Sequence, residues 1–144
     1  MNITYSASAH GLDGLAVEID IRDHKLIFDE PIDEGGTDLG INPIEAVLGA
    51  LGACQSIVIA AFADSFDFSY EDVRVDVEGD MDLEGMNGIE GIRPGLTEVR
   101  YKTTIKTNED EAKVVEFLDF VAKTCPVEDT LSGVKCIRVG IDIE

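Results

Sequence analysis

The sequence predicts an α+β domain, mostly antiparallel sheets around one long central helix, on three observations. Apolar residues alternate over short stretches on both sides of a single long uncharged segment, which is the period of half-buried strands. That segment, NPIEAVLGALGACQSIVIAAFA from Asn42 to Ala63, is too long for a strand and opens with helix-start signals. A second segment, Asn108 to Cys125, carries apolar residues at helical spacing and stops at a proline.

The elements follow in order. Ile3, Tyr5 and Ala7 alternate as a first strand, then Leu15, Val17, Ile19 and Ile21, then Leu26 and Phe28, with Asp23-His24 as the turn between the last two. The stretch DEPIDEGGTDLGI reads as a loop because Pro31 and Gly35-Gly36 are turn signals. In the central helix Asn42 is the cap, Pro43 takes the first helical position, and Glu45 completes a capping box three residues on. Val73, Val75 and Val77 form a strand, as do Val99, Tyr101, Thr103 and Ile105, and DMDLEGMNGIEGIRPG between them reads as a mobile acidic hairpin loop. The second helix has Asn108 and Glu111 as its capping box, with Val114, Leu118, Val121 and Cys125 on one stripe. The tail alternates Ile137, Val139, Ile141 and Ile143 as a last strand.

At 144 residues, without repeat or linker, the chain reads as a single domain over 1–144. A net charge of −19 opposes nucleic acid and anionic membrane surfaces as partners. The N-terminal stretch lacks a basic region followed by an apolar one, so the expected location is cytoplasmic, where Cys54, Cys125 and Cys136 stay free or redox-active. His10 and His24 stand apart from any cysteine cluster with metal-ligand spacing, so a zinc site is not expected. The uncharged run Ala46–Ala63 reaches the lower limit for a membrane span. Acids at Glu45 and Asp64 flank it, and no basic or aromatic anchors do, so it reads as a helix buried within a soluble protein.

On a helical wheel, Ile44, Val47, Leu48, Leu51, Val58, Ile59 and Phe62 form a bulky face that should pack on the sheet. Opposite lie Ala46, Gly49, Ala50, Ala53, Ala60 and Ala61, a stripe that lets another backbone approach closely. A helix apolar all round needs cover all round, and a second copy across a two-fold axis is the most economical source. Cover by the second helix of a monomer is the alternative. Cys54 falls at the boundary between the two faces, either as a small buried hydrophobe or as a thiol at a seam.

In TCPVEDTL, Cys125 ends one helix and precedes Pro126; if a short helix starts there, Cys125 caps it, and the helix N-terminus favours a thiolate. Glu128 and Asp129 pull the other way. Two such cysteines suggest a thiol pair that is oxidised and reduced again, but spacing alone does not show that they meet.

GGTDLGINPIEAVLGALGAC followed by TCPVEDTL resembles the OsmC-like family, which includes the organic hydroperoxide resistance proteins. The resemblance extends over nearly the whole chain in the order of its elements. It implies an OsmC-like fold in an intertwined homodimer, and thiol-dependent reduction of a small hydroperoxide without metal or organic cofactor. Carried over residue by residue, Cys54 matches the peroxide-attacking cysteine and Cys125 the resolving one, with an external dithiol as reductant. Two departures stand out. The family's peroxidases carry an arginine in an N-terminal loop, where HGLDG here offers Leu12. Their glutamate directly follows the proline, whereas here Ile44 does and Glu45 comes next; Glu45 either caps the helix or serves a site through a partner subunit. Arg93 is the candidate to replace the missing charge, and Cys136 reads as an incidental strand residue. The alternatives to an enzyme are a thiol sensor and a binder of small molecules.

Overall fold

The structure, a computed structural model, describes residues 1–133. Cys136 and the strand expected over Ile137–Ile143 lie outside them. The chain is α+β with antiparallel pairing and divides into two compact units, Met1–Gly49 and Ala50–Glu144.

The first unit is a three-stranded sheet in the order β1 (Ser8–Gly11), β2 (Val17–Ile21), β3 (His24–Phe28). The first strand therefore lies after Ile3–Ala7, not on it. The tight connection closed by the Leu12 amide donating to the Ala16 carbonyl at 2.8 Å sets Gly11 opposite Val17, and the pairing runs only to Ser8. Ile3 and Tyr5 stay exposed. The second turn falls at Arg22-Asp23, one residue earlier than expected, because Ile21 pairs with His24 and Arg22 takes a left-handed φ of 55°.

The loop after β3 is organised by one carboxylate. Asp29, 2 % exposed, accepts hydrogen bonds from its neighbour's amide at Glu30, from the Thr37 amide and hydroxyl, and from the Leu39 amide. These bonds, the Thr37 hydroxyl foremost, hold its carboxyl down to about 2 against the cost of burial. Gly36 is required because a Cβ there would run into the Glu30 carbonyl. Helix α1 (Pro43–Phe62) follows. Its capping box is formed as predicted: the Glu45 amide donates to Asn42 Oδ1 and the Asn42 amide to Glu45 Oε2, both at 2.8 Å.

The second unit carries the rest of α1, the long hairpin β4 (Asp72–Met81) and β5 (Leu96–Lys106), and helices α2 (Leu83–Met86), α3 (Glu111–Thr124) and α4 (Pro126–Leu131). Val73, Val75 and Val77 share the inner face of the hairpin with Tyr101, Thr103 and Ile105, which stand opposite them in the register. The acidic connection between the strands contains α2, capped by Asp82, whose side chain accepts from the Glu84 amide at 2.9 Å. Asp110, not Asn108, precedes α3. The core gathers Val58, Ile59 and Ala63 of α1 and its end, Phe68, and Phe117 and Val121 of α3.

Of the wheel's two faces on α1, Leu51, Val58 and Ile59 are buried, while Gly49, Ala50, Ala53, Ala60 and Ala61 are exposed. Ile57, a bulky residue within that open stripe, is 67 % exposed.

Candidate thiol site

The site is built in the second unit where α1 meets the corner between α3 and α4. Helical spacing on α1 puts Gln55 on the buried face with Leu51 and Ile59, and Cys54 at its margin, half-buried against the core. On α3, Phe117, Val121 and Cys125 follow one another at intervals of four and form the buried stripe, with Cys125 0 % exposed. Pro126 cannot continue α3, because the residue before a proline is driven to an extended conformation; Cys125 adopts φ −69° and ψ 110°. Its amide closes α3 on the Val121 carbonyl at 2.9 Å, and its carbonyl accepts the Asp129 amide of α4 at 3.1 Å. One residue thus ends one helix and opens the next.

The Cys54 thiol neighbours the Cys125 thiol and acts on its titration. Burial pushes the Cys125 thiol above its ordinary value. The amides of Glu128 and Val127 are directed at its sulfur and act against this, without closing a capping hydrogen bond, and the neighbouring Cys54 thiol adds to the rise. The helix start expected to favour a thiolate is present, but desolvation outweighs it.

Glu128 ties three elements together. Its Oε2 accepts from Gln55 Nε2 of α1 at 2.9 Å, and its Oε1 accepts from the Tyr101 hydroxyl of β5 at 3.3 Å. Burial foremost, then the Glu128 charge, raises the Tyr101 phenol above its usual value. An open hollow of about 390 Å³ on the hairpin is lined by Tyr101 together with Val77 and Arg100, but by neither cysteine.

The other predicted site residues lie elsewhere. Glu45 is exposed and occupied by the capping box, in the first unit. Arg93 is exposed in the connection after α2, where its backbone carbonyl packs so closely on Gly85 that no Cβ would fit there. Leu12 lies in the first unit and lines, with His10, Gly11 and Leu39, an open hollow of about 580 Å³. Among the described residues no group of His, Cys, Asp and Glu is arranged to hold a metal ion. Sequence reasoning did not single out Gln55 or Tyr101. A signal existed for each: Gln55 is an amide side chain within an apolar run beside a cysteine, and Tyr101 falls on the inward-facing period of its strand.

The model of the OsmC-like protein family matches residues 35–138, which include Cys54 and Cys125. The chain belongs to the OsmC-like family. It is 27% identical to a hydroperoxide reductase of Mycoplasma pneumoniae over 107 residues, which cover 74% of this chain and 73% of that one. A second hydroperoxide reductase, from Mycoplasma genitalium, is 29% identical over 104 residues, 72% of this chain and 71% of that one. The crystal structure of an OsmC-like protein from Mycoplasma pneumoniae superposes with a TM-score of 0.81 at 25% identity, covering 93% of this chain and 91% of that one. The OsmC-like fold expected from the motifs is therefore the fold observed.

Proposed function

We propose that the chain is a cysteine-based hydroperoxide reductase in which Cys54 attacks and Cys125 resolves. The observation that carries this reading is that two neighbouring thiols have unequal access: Cys54 is half-buried, while Cys125 is fully enclosed. The relatives named hydroperoxide reductase support the substrate class.

The Cys54 thiolate attacks the distal oxygen of the O–O bond, which breaks; the alkoxide leaves, takes a proton, and departs as the alcohol, and Cys54 becomes a sulfenic acid. The Cys125 sulfur then attacks the Cys54 sulfur, the S–O bond breaks, and water leaves with the Cys125 proton as the disulfide forms. An external dithiol reduces the disulfide by two exchange steps, is itself oxidised to a disulfide, and returns both thiols. The reducing cytoplasm would supply such a dithiol. A second copy of the chain is the proposed cover for the exposed stripe of α1 around Ala53 and Ile57.

The raised Cys125 thiol favours one alternative, a thiol sensor that is oxidised once and waits for a partner. The test is to supply cumene hydroperoxide and dithiothreitol and to follow peroxide loss in the wild type, Cys54→Ser and Cys125→Ser. Multiple turnovers that vanish in Cys54→Ser support the reductase. A single oxidation per chain, without recycling by dithiol, favours the sensor, and unreactive thiols overturn both.

A further inference from the structure

We propose that Glu128 is a positioning residue that latches the Cys125 corner to α1 and thereby sets how fast the disulfide closes; this rests on the reductase reading. Helix α4 is six residues long and buries none of them. So short a helix has no independent stability, and with Val127 only half-buried its place leans on its bonds. Its other side-chain hydrogen bonds among the described residues stay within the segment: Thr130 Oγ1 donates to the Pro126 carbonyl and Ser132 Oγ to the Asp129 carbonyl, both at 2.7 Å. Glu128 alone among them reaches out, to Gln55 at 2.9 Å and Tyr101 at 3.3 Å.

The spacing makes that reach consequential. Gln55 directly follows Cys54 on α1, and Glu128 lies one turn after Cys125. The two helices therefore meet through the amide–carboxylate pair, beside which the two thiols are neighbours. Gln55 is 2 % exposed and Glu128 half-buried, so their bond is partly shielded from competing water. Tyr101 of β5, itself partly exposed, donates to the second carboxylate oxygen over the longer distance of 3.3 Å.

Disulfide closure needs the sulfurs to approach to a bond of about 2 Å with a defined dihedral angle, so it is sensitive to small errors of placement. The sulfenic acid on Cys54 has two fates. Cys125 captures it with loss of water, or a second hydroperoxide oxidises it to sulfinic acid and leaves as the alcohol. A corner released from Gln55 and Tyr101 presents Cys125 less often and shifts the balance to the second fate.

The experiment measures the ratio of disulfide to sulfinic acid by intact mass as cumene hydroperoxide is raised. The ratio is decided after the first attack and is blind to changes in the attack rate. Glu128→Ala is expected to lower it about tenfold, the factor carried by hydrogen bonds to a charged acceptor. Tyr101→Phe, which keeps the ring and removes one donor, is expected to lower it by about threefold. The exchange Gln55→Glu with Glu128→Gln reverses donor and acceptor and should restore the ratio toward the wild type, which loss of packing would not permit. A wild-type ratio in both Glu128→Ala and Tyr101→Phe overturns the latch alone. A wild type that forms no disulfide overturns the reductase reading, and the latch with it.

Discussion

Replacing Phe117 by alanine should loosen the Cys125 corner before it unfolds the chain. Phe117 is 0 % exposed, and its ring centroid lies 4.5 Å from that of Phe68 and 5.0 Å from that of Phe66. Truncation removes roughly 150 Å² of apolar side chain from the core, or about 4 kcal/mol at 25 cal/mol per Å². The aromatic contacts contribute beyond their area, so a loss of about 4–5 kcal/mol is expected, at the upper end for such truncations. For a chain of this size that is a fall in Tm of about 10–15 °C. Phe117 lies two turns before Cys125 on one buried stripe, so well below the melting transition the cavity should also speed alkylation of Cys125 relative to Cys54. Calorimetry measures the first effect, and iodoacetamide labelling read by peptide mass the second. A stability loss under about 1 kcal/mol would refute Phe117 as the centre of the core. An unchanged labelling ratio would refute its link to the corner.

Cys125 should be alkylated more slowly than Cys54 at neutral pH, and its labelling should rise only above the pH at which ordinary thiols ionise. Its raised value means that the fold favours the neutral thiol: the stabilisation is whole below the unfolded thiol value and is lost as pH climbs through the folded one. Rate against pH for each cysteine checks this. Asp29 behaves in the opposite sense. With its carboxyl held down to about 2, the loop it organises keeps its full support above the unfolded carboxylate value of about 3.9 and loses it as pH falls through about 2. The Thr37 and Leu39 amide resonances should shift across that window, and Asp29→Asn should abolish the shift. Glu45→Ala should cost about 1 kcal/mol through the start of α1, whereas Glu45→Gln, which keeps an acceptor for the Asn42 amide, should retain most of it in thermal melts. A loss in Glu45→Gln as large as in Glu45→Ala would show that the charge, not the capping bond, matters.

Local signals were legible wherever the chain's own backbone chemistry decides the outcome. The Asn42 to Glu45 box formed because both partners lie within one helical turn, and Pro126 split α3 from α4 because a proline constrains the residue before it wherever it occurs. The first strand was displaced from Ile3–Ala7 to Ser8–Gly11 because alternation continues through both stretches, while only the hairpin closure at Leu12 and Ala16 selects which residues pair. In the connection after β4, glycines and acids suggested an open loop. The Asp82 cap nevertheless starts a helical turn there, and Gly85 admits the Arg93 backbone.

By itself the sequence determined the type of the longer described elements, the capped central helix, its bulky and small faces, and the Cys-Pro corner, because each depends on residues near one another in the chain. Only the tertiary structure decided that Cys54 and Cys125 are neighbours, that Glu128 bridges Gln55 and Tyr101, and that desolvation outweighs the helix start at Cys125. Those outcomes depend on which distant residues pack together and how much water they exclude, and periodicity along one chain carries no measure of either.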